Sequence, residues 1–186
     1  MSKVVQGMLM INLENLANKD YLVGLWINET FRVFRDRLVD EKDREKFNVL
    51  VHDIMESYLD MEWKPKDYIN IMFGDIEGDK QYIKLGESNS LIPRLKEWLE
   101  MYNSDNTRME LVFFGDCIQH LGRIARVLSQ QRGNSLLVGV GGSGRRSMAR
   151  LAACMNSMKC FSIEIAKNYR EKEFHEDIKK LLIKSG

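Results

Sequence analysis

A glycine-rich segment carries the clearest chemical signal in this chain. It reads LLVGVGGSGRRS at positions 136–147, where an apolar stretch predicted to be a strand leads into four glycines and then into a predicted helix. Closely spaced glycines let successive backbone N–H groups converge on an anion, and the first turn of the next helix adds partial positive charge. The segment therefore predicts a loop that binds the phosphates of a nucleotide.

One interpretation of this segment is the phosphate-binding pattern GxxxxGK[ST], which would span Gly139 to Gly144. Arg145 then stands where a lysine reaches the β- and γ-phosphates, and Arg146 stands where a hydroxyl ligates magnesium. Arginine keeps the charge, but its planar fork cannot follow a moving phosphate as an ammonium does. Ser147 lies about 100° further around the helix. We therefore expect ATP or ADP binding to survive better than catalysis, and the sequence leaves Mg²⁺ open.

A second interpretation is the dinucleotide pattern GxGxxG, formed by Gly139, Gly141 and Gly144. Glu164 follows Gly144 by 20 positions, near the place of an acid that binds a ribose. However, Glu164 lies inside the apolar alternation of residues 159–166, where it can simply face outward from a strand. The basic residue after Gly144 also suits a triphosphate better than a pyrophosphate. We favour the first pattern, and a glycine-rich turn without any ligand is a third interpretation.

Composition excludes several classes of protein. The chain has 186 residues, 44% of them hydrophobic, and its 28 basic and 27 acidic residues give a net charge of +1. This content supports a core, and the balanced charge indicates neither a nucleic acid nor a membrane partner. Three scattered cysteines without a CxxC pair argue for a reducing compartment rather than a disulfide framework. The sequence contains no apolar stretch of the roughly 20 residues that a membrane-spanning helix needs, and we expect no signal peptide.

The periodicity of apolar residues predicts a mainly helical chain that becomes α/β near its end. Residues 1–106 form a helical segment, and residues 107–186 hold the first part of an αβ phosphate-loop segment, with the boundary at the polar run NSDN. Glycine and proline residues interrupt the short apolar stretches of residues 63–86, which predicts little regular structure there. The predicted helices are 20–38, 40–58, 90–102, 116–129 and 171–184, and the predicted strands are 136–138 and 159–166.

Several stretches together resemble axonemal dynein heavy chains. Residues 132–152 (RGNSLLVGVGGSGRRSMARLA), 161–169 (FSIEIAKNY) and 177–180 (DIKK) are similar to the start of the fourth AAA+ module of that family. Residues 2–7 (SKVVQG) and the segment from LW at 25–26 to VFRDRL at 33–38 resemble the helical end of the third module. The resemblance implies an AAA+ lid followed by an incomplete P-loop subdomain.

The resemblance also implies a function. The parent would be a ring motor that uses ATP to slide microtubules in the axoneme of cilia and flagella, with the fourth module as a regulatory nucleotide site. This segment would lack a complete hydrolytic site, would depend on the rest of the heavy chain and its complex, and would reach microtubules only through the full motor. The alternatives are a structural ring segment with a vestigial loop and an NAD-binding domain. The residues implied to surround the phosphates are Gly139, Val140, Gly141, Gly142, Ser143, Gly144, Arg145, Arg146 and Ser147.

Overall fold

Helices make up most of the described chain, which comprises residues 2–185 of a computed structural model. Short 3₁₀ turns at Leu13–Ala17, Arg35–Arg37 and Ser88–Leu91 connect some of them. The helices, in chain order, are α1 Ser2–Met8, α2 Lys19–Val33, α3 Glu41–Leu59, α4 Pro65–Tyr68, α5 Ile92–Asp105, α6 Gly115–Ser129, α7 Arg145–Met155 and α8 Glu171–Ser185.

Local capping explains where the first long helices begin. The Asn18 side chain accepts a hydrogen bond from the Tyr21 N–H at 3.1 Å, so α2 begins before the predicted Asp20. The Asp40 carboxylate accepts a hydrogen bond from the Lys42 N–H at 3.0 Å and caps α3, which begins near residue 40 as predicted. Helix α2 ends at Val33 rather than at residue 38, because the chain tightens there into a 3₁₀ turn.

A small hairpin interrupts the helices between residues 63 and 86, where little regular structure was predicted. Strands β1 (Phe73–Gly74) and β2 (Ile83–Lys84) are antiparallel, and Phe73 lies opposite Lys84. The Asp75 carboxylate accepts the N–H groups of Gly78 (2.7 Å) and Lys80 (2.9 Å), which closes the connecting loop. The hairpin matters because it contributes side chains to both apolar cores.

Two apolar cores hold the helices together. The first, here called the α2–α3 core, consists of Val23, Leu25, Ile27, Phe31, Val51, Met55, Met61, Tyr68, Ile71, Phe73 and Tyr82. The second, the α5–α7 core, consists of Ile76, Leu91, Leu95, Trp98, Tyr102, Phe113, Cys117, Ile118, Leu121, Ile124, Ala125, Leu151, Ala152 and Met155. Helix α5 thus packs with helices that follow residue 106, and the division at that residue stays a prediction.

The two predicted strands are not formed. Residues 136–138 and 159–166 have no strand partner within the described chain, and Leu136 and Val138 are 88% and 83% exposed. A strand exists only through hydrogen bonds to a neighbouring strand, so apolar alternation alone cannot create one. The predicted order nevertheless stands, with a mainly helical segment followed by the glycine-rich loop that leads into α7.

The cysteines, possible membrane helices and possible metal-binding groups lie outside the loop. The thiols of Cys117, Cys154 and Cys160 are free. Within residues 2–185, no helix is both long enough and apolar enough to cross a membrane. The same residues contain no group of three or more histidine, cysteine, aspartate or glutamate side chains that could hold a metal ion.

Candidate functional site

The glycine-rich loop turns sharply into helix α7. The Ser143 N–H donates to the Val140 carbonyl at 3.4 Å, and the Met148 N–H donates to the Gly144 carbonyl at 2.9 Å, which is the first bond of the helix. Gly142 and Gly144 have φ angles of 78° and 73°. Only glycine adopts this left-handed conformation without strain, so these two residues are required by the backbone itself.

The turn exposes hydrogen-bond donors at the start of α7. The N–H groups of Arg145, Arg146 and Ser147 lie in the first helical turn and have no partner inside the helix. They border an open cavity of about 760 Å³, a volume in the range of small-molecule sites. The cavity is lined by Leu137, Gly141, Gly142, Ser143, Gly144, Arg145, Arg146, Ser147 and Ala149.

Seven of the nine residues predicted for the site therefore lie along one cavity. Gly139 and Val140 lie outside its lining. A Cβ atom at Gly139 would approach Ser143 Oγ to 3.2 Å and Arg145 Nε to 3.5 Å. The lining thus includes Leu137 of the predicted strand, runs without a break from Gly141 to Ser147, and continues into α7 at Ala149.

Arg145 folds back onto the loop. Its Nη2 donates to the Val140 carbonyl at 2.8 Å, and no carboxylate pairs with it among the described residues. A phosphate would therefore have to draw the guanidinium away from a neutral carbonyl. The bond to the carbonyl has one charged partner, whereas a bond to phosphate has two and can be bidentate, so this exchange favours the anion.

A magnesium ion would find few protein ligands here. Ser147 lines the cavity and offers a hydroxyl, whereas Arg146 is exposed and carries charge of the wrong sign. The described residues that line the cavity include no carboxylate. Glu164, the acid of the dinucleotide interpretation, is exposed and has no hydrogen-bond partner within residues 2–185.

Sequence reasoning missed a buried polar cluster on the opposite side of α6. Glu29 on α2 is fully buried, and Arg126 on α6 is 8% exposed. Glu29 occupies a position of the otherwise apolar stripe of α2, and that misplaced charge was the available signal. Arg126 lies on the polar side of α6, so its position gave no such signal. Their pairing was invisible because 97 residues separate them along the chain.

Comparison with known families places these observations in context. Residues 109–186 match the family described as P-loop containing dynein motor region D4, and residues 1–66 match the AAA+ lid domain. The chain is 42% identical to dynein axonemal heavy chain 1 of Mus musculus and 42% identical to dynein axonemal heavy chain 2 of Homo sapiens. It is 35% identical to dynein axonemal heavy chain 6 of Homo sapiens.

Each of these alignments covers the whole chain but only 4% to 5% of the relative. The matches extend over both cores and the loop and do not depend on the glycines alone. The lid match precedes the D4 match, in the order that the sequence resemblance implied. The chain belongs to the axonemal dynein heavy-chain family.

Proposed function

We propose that the loop at residues 139–147 binds ATP or ADP as a regulatory site of a dynein motor. The main support is the pair of left-handed glycines, Gly142 and Gly144, which present the free N–H groups of α7 to a cavity that also contains Arg145. Within a complete heavy chain, the segment would contribute to ATP-driven sliding of microtubules in the axoneme. Its partners would be the rest of that heavy chain and the other dynein subunits.

The N–H groups of α7, Arg145 and Ser147 would each bind a different part of the nucleotide and its metal. The N–H groups at the start of α7 would hold phosphate oxygens, and the helix dipole would favour their negative charge. Arg145 would clamp a phosphate after leaving the Val140 carbonyl. Magnesium would be held mainly by the phosphates, water and Ser147, because none of the described residues around the cavity has a carboxylate. This arrangement supports binding and gives little for hydrolysis, which needs an oriented water and a firmly held metal.

A second function has support from one observation. The hydrogen bond from Arg145 to Val140 closes the loop without any ligand. This contact favours a structural ring segment with a vestigial site, in which arginine has taken over the space of a phosphate. The two functions differ in one measurable property, which is the affinity for nucleotide.

Titration of the 186-residue chain with a fluorescent ATP analogue tests the proposal. Gly144→Val places a β-branched residue at a φ of 73°, so it should distort the loop although its Cβ would meet no atom within 4 Å. Arg145→Ala removes the clamp. We expect each change to weaken binding by about tenfold or more.

The matched control is Arg150→Ala, which removes the same charge from the same helix about 7.5 Å further along. It should change the affinity by less than about twofold. Equal affinities for all four proteins would overturn the proposal, as would a melting temperature that ATP and ADP leave unchanged, because a ligand must stabilise the state that it binds. That second result would establish the structural function. Tighter binding of NAD⁺ than of ATP would instead support the dinucleotide interpretation.

A further inference from the structure

Charged side chains join helices α2 and α6. Glu29 lies on α2, and Asp36 follows it by seven residues in the Arg35–Arg37 turn. Arg123 and Arg126 lie one turn apart on α6. Each acid pairs with one of these arginines, so the contact consists of an inner and an outer ion pair.

The inner pair is buried, and each partner makes several hydrogen bonds. Arg126 Nε donates to both Glu29 carboxylate oxygens, at 3.1 and 2.9 Å, and Arg126 Nη2 donates to Oε2. The Tyr82 hydroxyl and the Asn28 amide donate to Glu29 Oε1 at 2.8 and 2.9 Å. Burial lowers the pKa of Arg126, but its hydrogen bond with Glu29 and the Glu29 charge outweigh burial and raise that pKa overall. Arg126 therefore keeps its charge beside the Glu29 carboxylate.

The outer pair is partly open to solvent. Arg123 Nε lies 3.0 Å from Asp36 Oδ2, and Arg32 Nη1 lies 3.1 Å from the same oxygen. The side chains of Arg123 and Asp36 are 29% and 18% exposed. Water and salt thus reach the outer pair before the inner one.

The apolar cores do not merge across this contact. The α2–α3 core and the α5–α7 core are separate clusters, and the hairpin supplies Phe73 and Tyr82 to the first and Ile76 to the second. Separating apolar surfaces exposes them to water at a large cost. Separating an ion pair costs less, because hydration of each charge offsets much of the electrostatic free energy that is lost when the pair breaks.

We propose that the Glu29–Arg126 and Asp36–Arg123 pairs form an ionic latch, which holds α2 on α6 and opens while both apolar cores stay folded. The hairpin is the pivot, since it is anchored in both cores. Helix α1 packs on α2 and covers Glu29 with the backbone of Gly7, so α1 moves with α2. The latch would let the lid segment shift against the helix that packs on α7, and it does not depend on whether the loop binds nucleotide.

Thiol labelling can separate opening of the latch from unfolding of a core. In a chain carrying Cys154→Ser and Cys160→Ser, the buried thiol of Cys117 reports on the α5–α7 core. Asn28→Cys places a second thiol inside the latch. If the chain did not open, the thiol at position 28 should be labelled more slowly than Cys117, because Asn28 is 2% exposed and Cys117 is 8% exposed. The latch predicts the reverse, with the introduced thiol reacting about tenfold faster.

Two perturbations sharpen this test. Asp36→Asn breaks the outer pair and should raise the labelling rate of the introduced thiol about fivefold without changing that of Cys117. Raising the salt concentration should act in the same direction. The matched control is Glu97→Gln, which breaks the exposed pair with Arg94 on α5 and should leave both rates unchanged.

The proposal fails if both thiols react at one common rate, because the latch would then open only when the chain unfolds. It also fails if Asp36→Asn and salt leave the ratio of the two rates unchanged. If Asn28→Cys does not fold, as judged by circular dichroism, Gly122→Cys replaces it. Gly122 borders a cavity that Asn28 and Arg32 of α2 also line, and a Cβ there would meet no atom within 4 Å. Because Gly122 is only half-buried, the test at this position is the rate increase caused by Asp36→Asn and by salt.

Discussion

Replacing Gly7 with alanine tests how closely α1 covers the buried Glu29–Arg126 pair. In an ordinary helix this change stabilises by up to about 1 kcal/mol, because glycine is a poor helix former. At Gly7 the added methyl group would overlap the Glu29 carboxylate and would lie 2.8 Å from Arg126 Nη2. We therefore expect Gly7→Ala to lower the free energy of unfolding instead of raising it.

The magnitude follows from two costs and one gain. Forcing a methyl group into a filled site costs about 1–3 kcal/mol. If the Glu29 carboxylate moves aside, the buried charge of Arg126 loses part of its interaction with the opposite charge. Complete loss of a buried partner costs about 3–5 kcal/mol. Helix propensity returns at most about 1 kcal/mol. We expect Gly7→Ala to lower the free energy of unfolding by about 2 kcal/mol.

Urea unfolding followed by circular dichroism measures this change. Gly122→Ala is the matched control, because Gly122 also lies within a helix but a Cβ there would meet no atom within 4 Å. That variant should be about 0.5–1 kcal/mol more stable than the parent chain. A Gly7→Ala chain as stable as Gly122→Ala would refute the close approach of α1 to the pair.

Three further predictions concern other parts of the molecule. Trp98 Nε1 donates to the Ile76 carbonyl at 2.7 Å, so Trp98→Phe should lower the free energy of unfolding in urea by about 1–3 kcal/mol. Burial, followed by the charge of Glu29, raises the pKa of Tyr82 above its ordinary value of 10.0, so the folded chain keeps a proton that the unfolded chain loses. The free energy of unfolding should therefore fall as the pH rises above about 10, and it should fall less steeply in Tyr82→Phe. Val138 is 83% exposed, so Val138→Lys should weaken self-association in sedimentation experiments and leave urea unfolding unchanged.

Local signals in the sequence were enough to locate most helices. Helix α3 begins after its cap Asp40, and α6 and α8 match their predicted ranges within one or two residues. Each of these helices depends on periodicity and on residues within one turn. The prediction was less accurate where the end of a helix depends on its neighbours, as at Val33, where α2 ends before the predicted residue 38.

The phosphate loop was located from sequence, but the conformation of its arginine was not. Four glycines followed by a basic residue indicated the turn, and the φ angles of Gly142 and Gly144 agree with it. The hydrogen bond from Arg145 to Val140 depends on a side-chain rotamer that a pattern of letters does not specify. The role of these residues in binding nucleotide stays a prediction.

By itself the sequence determined the family, the order of a lid and a phosphate loop, and the extents of most helices, because each depends on residues close together in the chain. Only the tertiary structure decided which charges meet and which apolar stretches become strands. Glu29 pairs with Arg126 across 97 residues, and residues 136–138 have no strand partner in the part of the chain that the structure describes. Pairing is a property of two distant segments brought together in space, and neither segment contains that information alone.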